Sequence, residues 1–194
     1  MSTVEPIKLV KKIKAMLTYL KGKDSTGRNA MIFHLGINSA YRISDLLNLK
    51  YEDVFSDNYR FREYIRTTEQ KTMKYKQFKP PEQVRNNLKT YAQKNKIKPG
   101  DWLFPSFRNR STHLDRTNAW RFLSNAAQIL GIKHFGTHSM RKTFGYHYYQ
   151  KTKDIGTLMK VFNHSSQNIT LRYIGIDQEN IDKVYTEVEE IYDL

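Results

Sequence analysis

The 194-residue sequence contains no cysteine, which excludes disulfide stapling and thiolate metal sites. No apolar run approaches the length of a membrane-spanning helix. No early stretch joins a charged start, an apolar run and a small-residue cleavage site. A soluble, cytoplasmic protein that does not engage membranes is therefore expected. Glycine and proline are sparse, at nine and five, and no segment is repetitive or of low complexity. One compact domain is the default for a chain of this length. Acidic side chains are scarce too: 19 Asp and Glu face 33 Lys and Arg, for a net charge of +14. A positive field of that size is either tolerated or used on a polyanion, with nucleic acid the leading partner.

The charge is unevenly spread. Residues 177–194 hold seven acids (Asp177, Glu179, Asp182, Glu187, Glu189, Glu190, Asp193) against Lys183 alone, leaving 12 acids and 32 bases in residues 1–176. Ile7, Val10, Ile13, Leu17 and Leu20 lie at helical spacing before Gly22 and predict a basic amphipathic helix over 7–21. Ile32, Phe33, Leu35 and Ile37 are apolar enough to be buried, and Ser44 or a neighbour can cap a short helix before Leu49. The segments 59–67 and 72–78 have strand character and flank a polar Glu69-Gln70-Lys71 interval, which suggests a hairpin. Helices are predicted over 82–94, 115–130 (with Trp120, Leu123, Ala127 and Leu130 inward), 138–150, 154–162, 168–173 and 180–192.

Each polar motif is weak alone. His138 and Arg141, three apart, suit an ordinary solvated basic helix face. His134 and His138 are four apart, but no acidic or cysteine partner stands at ligand spacing, so no metal site is expected. Lys71 reads as a common hairpin lysine and His164, before Ser165-Ser166, as a helix-capping neighbour. Arg42 stands near a helix start, where a cation gains nothing from the macrodipole, a mild sign of another task.

Taken in order, Tyr41-Arg42-Ile43-Ser44-Asp45-Leu46-Leu47-Asn48-Leu49, Gln70-Lys71-Thr72, His138-Ser139-Met140-Arg141, Asn163-His164-Ser165-Ser166 and Thr170-Leu171-Arg172-Tyr173-Ile174 resemble the tyrosine recombinases of the phage integrase family. The resemblance covers residues 7–190, the family's catalytic domain. It implies an α+β, mainly helical fold with a small antiparallel hairpin on one side, and a site-specific recombinase that integrates or exchanges DNA. Tyr173 matches the nucleophile that forms a 3′-phosphotyrosine and frees a 5′-hydroxyl. Arg42 and Arg141 match the pair that activates the phosphate, Lys71 the general acid, and Asp45 an acid bracing the first arginine. His138 matches the position that accepts the tyrosine proton or orients the phosphate, and His164 one that donates a hydrogen bond to it. No cofactor or metal is implied, since guanidinium and ammonium groups supply the positive charge. The implied partners are double-stranded DNA, further copies of the chain (a tetramer on DNA, a monomer when free) and accessory DNA-bending proteins.

Some features depart from the family pattern. Asn163 stands where glycine is usual, and asparagine tolerates left-handed backbone angles. Met140 replaces a leucine at similar volume. The N-terminal DNA-clamping domain that integrases generally carry is expected to be absent, leaving a catalytic domain at 1–176 and an acidic amphipathic tail at 177–194 that docks on its own domain or on a neighbour. Two rival readings stand beside recombination: relaxation of DNA by a type IB topoisomerase-like reaction, and a DNA-binding regulator with a decayed site.

Overall fold

The computed structural model describes residues 4–68, 75–176 and 187–188. Lys71 and nearly all of the predicted C-terminal helix lie outside these residues. Among the described residues the elements run α1 (Val10–Lys23), α2 (Arg28–Ile37), α3 (Ile43–Leu47), α4 (Tyr51–Val54), β1 (Ile65–Thr68), β2 (Tyr75–Phe78), α5 (Glu82–Lys94), α6 (Arg116–Ile129), α7 (Ser139–Thr152), α8 (Ile155–Phe162) and α9 (Gln167–Ile174). None of these helices is long and apolar enough to cross a membrane.

The chain is organised around α2. Its Ala30, Met31, Ile32, Phe33, Leu35 and Gly36 are all buried, so the helix has no polar face broad enough for the surface. It packs against α1, α3, α5, α6 and α7. Gly36 lets α7 approach closely, for a methyl group there would meet the Met140 Sδ at 2.6 Å. The wider core is aliphatic and aromatic, with Phe33, Phe55, Phe104 and Leu46 fully enclosed. A second cluster of Leu158, Phe162, Ile174 and Ile176 binds α8 and α9 to α7.

Side chains set most helix starts. Asp115, Asp154 and Ser166 accept the amides of Asn118, Thr157 and Ile169 at 2.9, 2.9 and 3.3 Å, capping α6, α8 and α9. At α3 the capping falls to Ser44's neighbour Asp45, whose carboxylate reaches back to accept the Arg42 amide at 3.1 Å. α8 ends on Asn163 with φ 57° and ψ 48°, the left-handed conformation expected of an asparagine in a glycine position.

Three sequence expectations shift. α1 starts at Val10 because the segment before it is held extended: Ile7 donates its amide to Thr143 Oγ1 at 2.8 Å, and its carbonyl lies 2.9 Å from His147 Nε2. The first strand begins at Ile65, not Tyr59. Asn58 and Tyr59 have φ of 53° and 56°, and Tyr51, Phe55, Tyr59 and Phe61 gather into an aromatic cluster beside α4. Trp120 is 47 % exposed; Leu123 and Ala127 turn inward as expected, but Ala119 and Ala126 join them in place of Trp120, and the three alanines seat the helix closely. β1 and β2 pair antiparallel, Ile65 opposite Phe78 and Thr68 opposite Tyr75.

Candidate active site

The N-terminal turn of α7 brings His138 and Arg141 to the side chain of Tyr173 on α9. His138 is the N-cap residue of α7 and not an interior helical residue, so its ring leans out over the helix start. Its Nδ1 lies 3.2 Å from the Tyr173 hydroxyl, the rings meeting edge to face. The positive charge of Arg141 bears on the same hydroxyl and opposes the rise that burial gives its pKa. In the tautomer that leaves Nδ1 bare, the His138 ring accepts the phenol proton there. That tautomer keeps the ring proton on Nε2.

Arg141 is 3 % exposed, and its carbonyl partners come from two directions. It donates to the carbonyl of Ala40 and, at 3.1 Å, to that of Phe162, while its guanidinium lies 4.7 Å from the centre of the Phe162 ring. Hydrogen bonds from a charged donor contribute about 1.5–3 kcal/mol each. Loss of any of these partners would be felt in the fold as well as the site.

Arg42 enters from the start of α3, half-buried. Its charge acts on His138, Arg141, His164 and Tyr173 alike, so the two guanidiniums share one pocket. Asp45, fully buried, fixes the Arg42 backbone and offsets part of the charge on Arg141. His164 follows the left-handed turn at Asn163, its ring 5.1 Å from Tyr173 and 5.4 Å from Phe162. Lys71 lies outside the described residues; beside Arg42, the Tyr41 hydroxyl is 3.2 Å from the carbonyls of both Ile65 on β1 and Lys76 on β2, and its ring abuts Phe78.

The electrostatics favour neutral histidines. Desolvation, then the charges of Arg141, Arg42, Lys142 and Arg116, lower the pKa of His138. Desolvation, then Arg141, Arg42 and Lys76, lower that of His164. Burial raises the pKa of Tyr173 while Arg141 and Arg42 oppose the rise. The resting nucleophile is thus a protonated phenol beside a neutral base and two cations.

Four contributors escaped the sequence reading. Phe162 is a shared floor, touching Arg141, Tyr173 and His164. Lys142 lies 5.1 Å from the centre of the Tyr173 ring, and Lys76 and Arg116 add charge from β2 and α6. Lys142 directly follows Arg141, and that adjacency was the available signal. His134 sits with φ 54° in the turn before α7, so it does not share a helix with His138.

Comparison with known proteins gives a consistent result. Residues 9–180 match the model of the phage integrase family. A probable integrase/recombinase of Bacillus subtilis, YoeC, is 40 % identical over 185 residues, covering 95 % of this chain and 97 % of its own length. A probable integrase/recombinase of Acholeplasma phage L2 is 27 % identical over 168 residues, of which the chain spans 55 % of the length. Among solved structures, XerH recombinase bound to its palindromic difH substrate superposes with a TM-score of 0.73 at 18 % identity, over 97 % of this chain and 54 % of that one. At that identity the likeness is one of fold.

Proposed function

The chain belongs to the phage integrase family, and from that premise we propose that it is a site-specific tyrosine recombinase in which Tyr173 cuts DNA. The observation that carries this reading is the 3.2 Å contact of His138 Nδ1 with the Tyr173 hydroxyl, beside the charge of Arg141. In the reaction the Tyr173 oxygen attacks the phosphorus, and its proton passes to His138. The bond from phosphorus to the 5′-oxygen breaks, leaving a 3′-phosphotyrosine. Lys71 gives the departing oxygen its proton and so releases a 5′-hydroxyl. Arg42 and Arg141 bind the non-bridging oxygens as negative charge grows on them, through forked donors that stay charged at any working pH. Attack by a 5′-hydroxyl from a second duplex reverses the steps and joins the strands without ATP, because the phosphotyrosine conserves the bond energy.

Double-stranded DNA is the proposed substrate, in the cytoplasm, with four copies assembling on two duplexes. Accessory DNA-bending proteins are proposed to help shape that assembly, and the acidic segment 177–194 to dock on its own domain or on a neighbouring copy. The test is covalent capture on a pool of nicked suicide duplexes with a randomised core. The wild-type chain is expected to give a protein–DNA band resistant to denaturant, and Tyr173→Phe to give none while remaining folded. A band that persists with phenylalanine at 173 would remove Tyr173 from the mechanism.

A further inference from the structure

Thr170 is fully buried on α9, one turn before Tyr173, and nothing in the chemistry above uses it. Its hydroxyl lies 3.1 Å from His164 Nδ1 and 3.1 Å from the Ser166 carbonyl. A hydroxyl has one proton, so two arrangements are open. In the first, Thr170 donates to Ser166 and accepts from His164 Nδ1–H. A neutral His164 then presents a bare Nε2 lone pair, which repels phosphate oxygens. In the second, Thr170 donates to Nδ1, and Nε2 carries the ring proton and can donate. The Ser166 carbonyl loses little in the second case, since it also accepts the Thr170 amide at 3.3 Å.

We propose that Thr170 selects the tautomer of His164, turning its hydroxyl proton onto Nδ1 so that Nε2–H donates to the scissile phosphate. Thr170 is thus a positioning residue, acting on the phosphate through His164. The inference rests on the recombinase reading above. The selection matters because His164 is held neutral; an imidazolium would donate from both nitrogens without help. Facing the ring are Arg141 from α7, Arg42 ahead of α3, Lys76 from β2 and Tyr173 from α9, with His138 one hydrogen bond further on. Full burial of Thr170 keeps water from supplying the missing hydrogen bond.

The test compares single-turnover cleavage of the captured suicide duplex by the wild-type chain, Thr170→Val and Thr170→Ser between about pH 5.5 and pH 8.5, a range spanning the ordinary imidazole pKa. Valine keeps the shape and removes the proton. It is expected to slow cleavage on the order of 10- to 100-fold at the alkaline end, as losing a supporting hydrogen bond or one phosphate donor does, and serine to restore the rate. The valine deficit should shrink as the pH falls and His164 protonates. Titration of His138 and Tyr173 is common to the three proteins and cancels in the ratio.

Nitrogen-15 shifts of the His164 ring in the DNA-bound wild-type protein read the tautomer directly, and Nε2–H is expected. A valine variant as fast as wild type, a deficit unchanged across the pH range, or an Nδ1–H tautomer would each overturn the proposal. A wild-type chain that forms no adduct would overturn the recombinase reading instead, and the ring shifts would still judge Thr170.

Discussion

Arg141 shows how far one side chain is committed. Its guanidinium spans the carbonyls of Ala40 and Phe162 and sets its charge on Tyr173, joining the end of the α2–α3 connection and the end of α8 beside the nucleophile on α9. A lysine ammonium is a point charge and cannot span them. Arg141→Lys is expected to lower stability by about 1–3 kcal/mol through unsatisfied buried carbonyls, read from urea unfolding. Adduct formation should fall at least about 100-fold, as when an oxyanion donor is removed. Near-wild-type cleavage would show that charge alone suffices at this position. Arg42, His138, Arg141, His164 and Tyr173 were singled out in the sequence by the resemblance of their motifs, in order, to the family's, and the fold brings these five together. Phe162 was not: a phenylalanine closing a helix looks the same whether it fills a core or supports a reactive group, and only the fold sets Arg141, Tyr173 and His164 against it.

Among the elements, α7 carries the most constraints. Val4, Glu5 and Ile7 are tied to its Lys142, Ser139 and Thr143, with distances of 2.7, 2.7 and 2.8 Å, so an extended strap holds the helix whose first turn bears the site. On the other side, Gly145 admits Phe162 and Ile174: a methyl group there would meet them at 2.6 and 2.7 Å. Gly145→Ala is expected to push α8 and α9 outward and cost about 1–3 kcal/mol, the usual range for overpacking. Cleavage should fall more than DNA affinity, because Tyr173 moves while the basic surface stays. A variant with wild-type melting temperature and cleavage would mean that the ring of Phe162 turns aside freely. Helix positions were legible because the apolar spacing in α5, α8 and α9 has few competing explanations. Phases and ends were less so. In α6, Ala119 and Trp120 fit a 3.6-residue period nearly equally well, and close packing selected the smaller one. The strap was unreadable, since its hydrogen bonds go to side chains more than 130 positions away.

Across the whole molecule the surplus of cations has a consequence for stability. His34, His138 and His164 are all held below the ordinary imidazole pKa, first by burial and then by neighbouring cations. Below about pH 6.5, the unperturbed imidazole value, the unfolded chain binds protons that the folded chain refuses, so stability is lost as pH falls through that window. The melting temperature is expected to be lower at pH 5.5 than at pH 7.5, and the slope to flatten in His34→Gln, a substitution remote from the site chemistry. A melting temperature that rises on acidification would contradict the assigned shifts. The exposed indole of Trp120 adds something practical. Of the chain's two tryptophans, Trp102 is pinned by its bond to the Ser111 carbonyl and by His113. Trp120 stands open to solvent beside Thr137, the residue before His138. Its fluorescence therefore offers an intrinsic optical signal for a duplex arriving over the site, readable by stopped flow with no label attached.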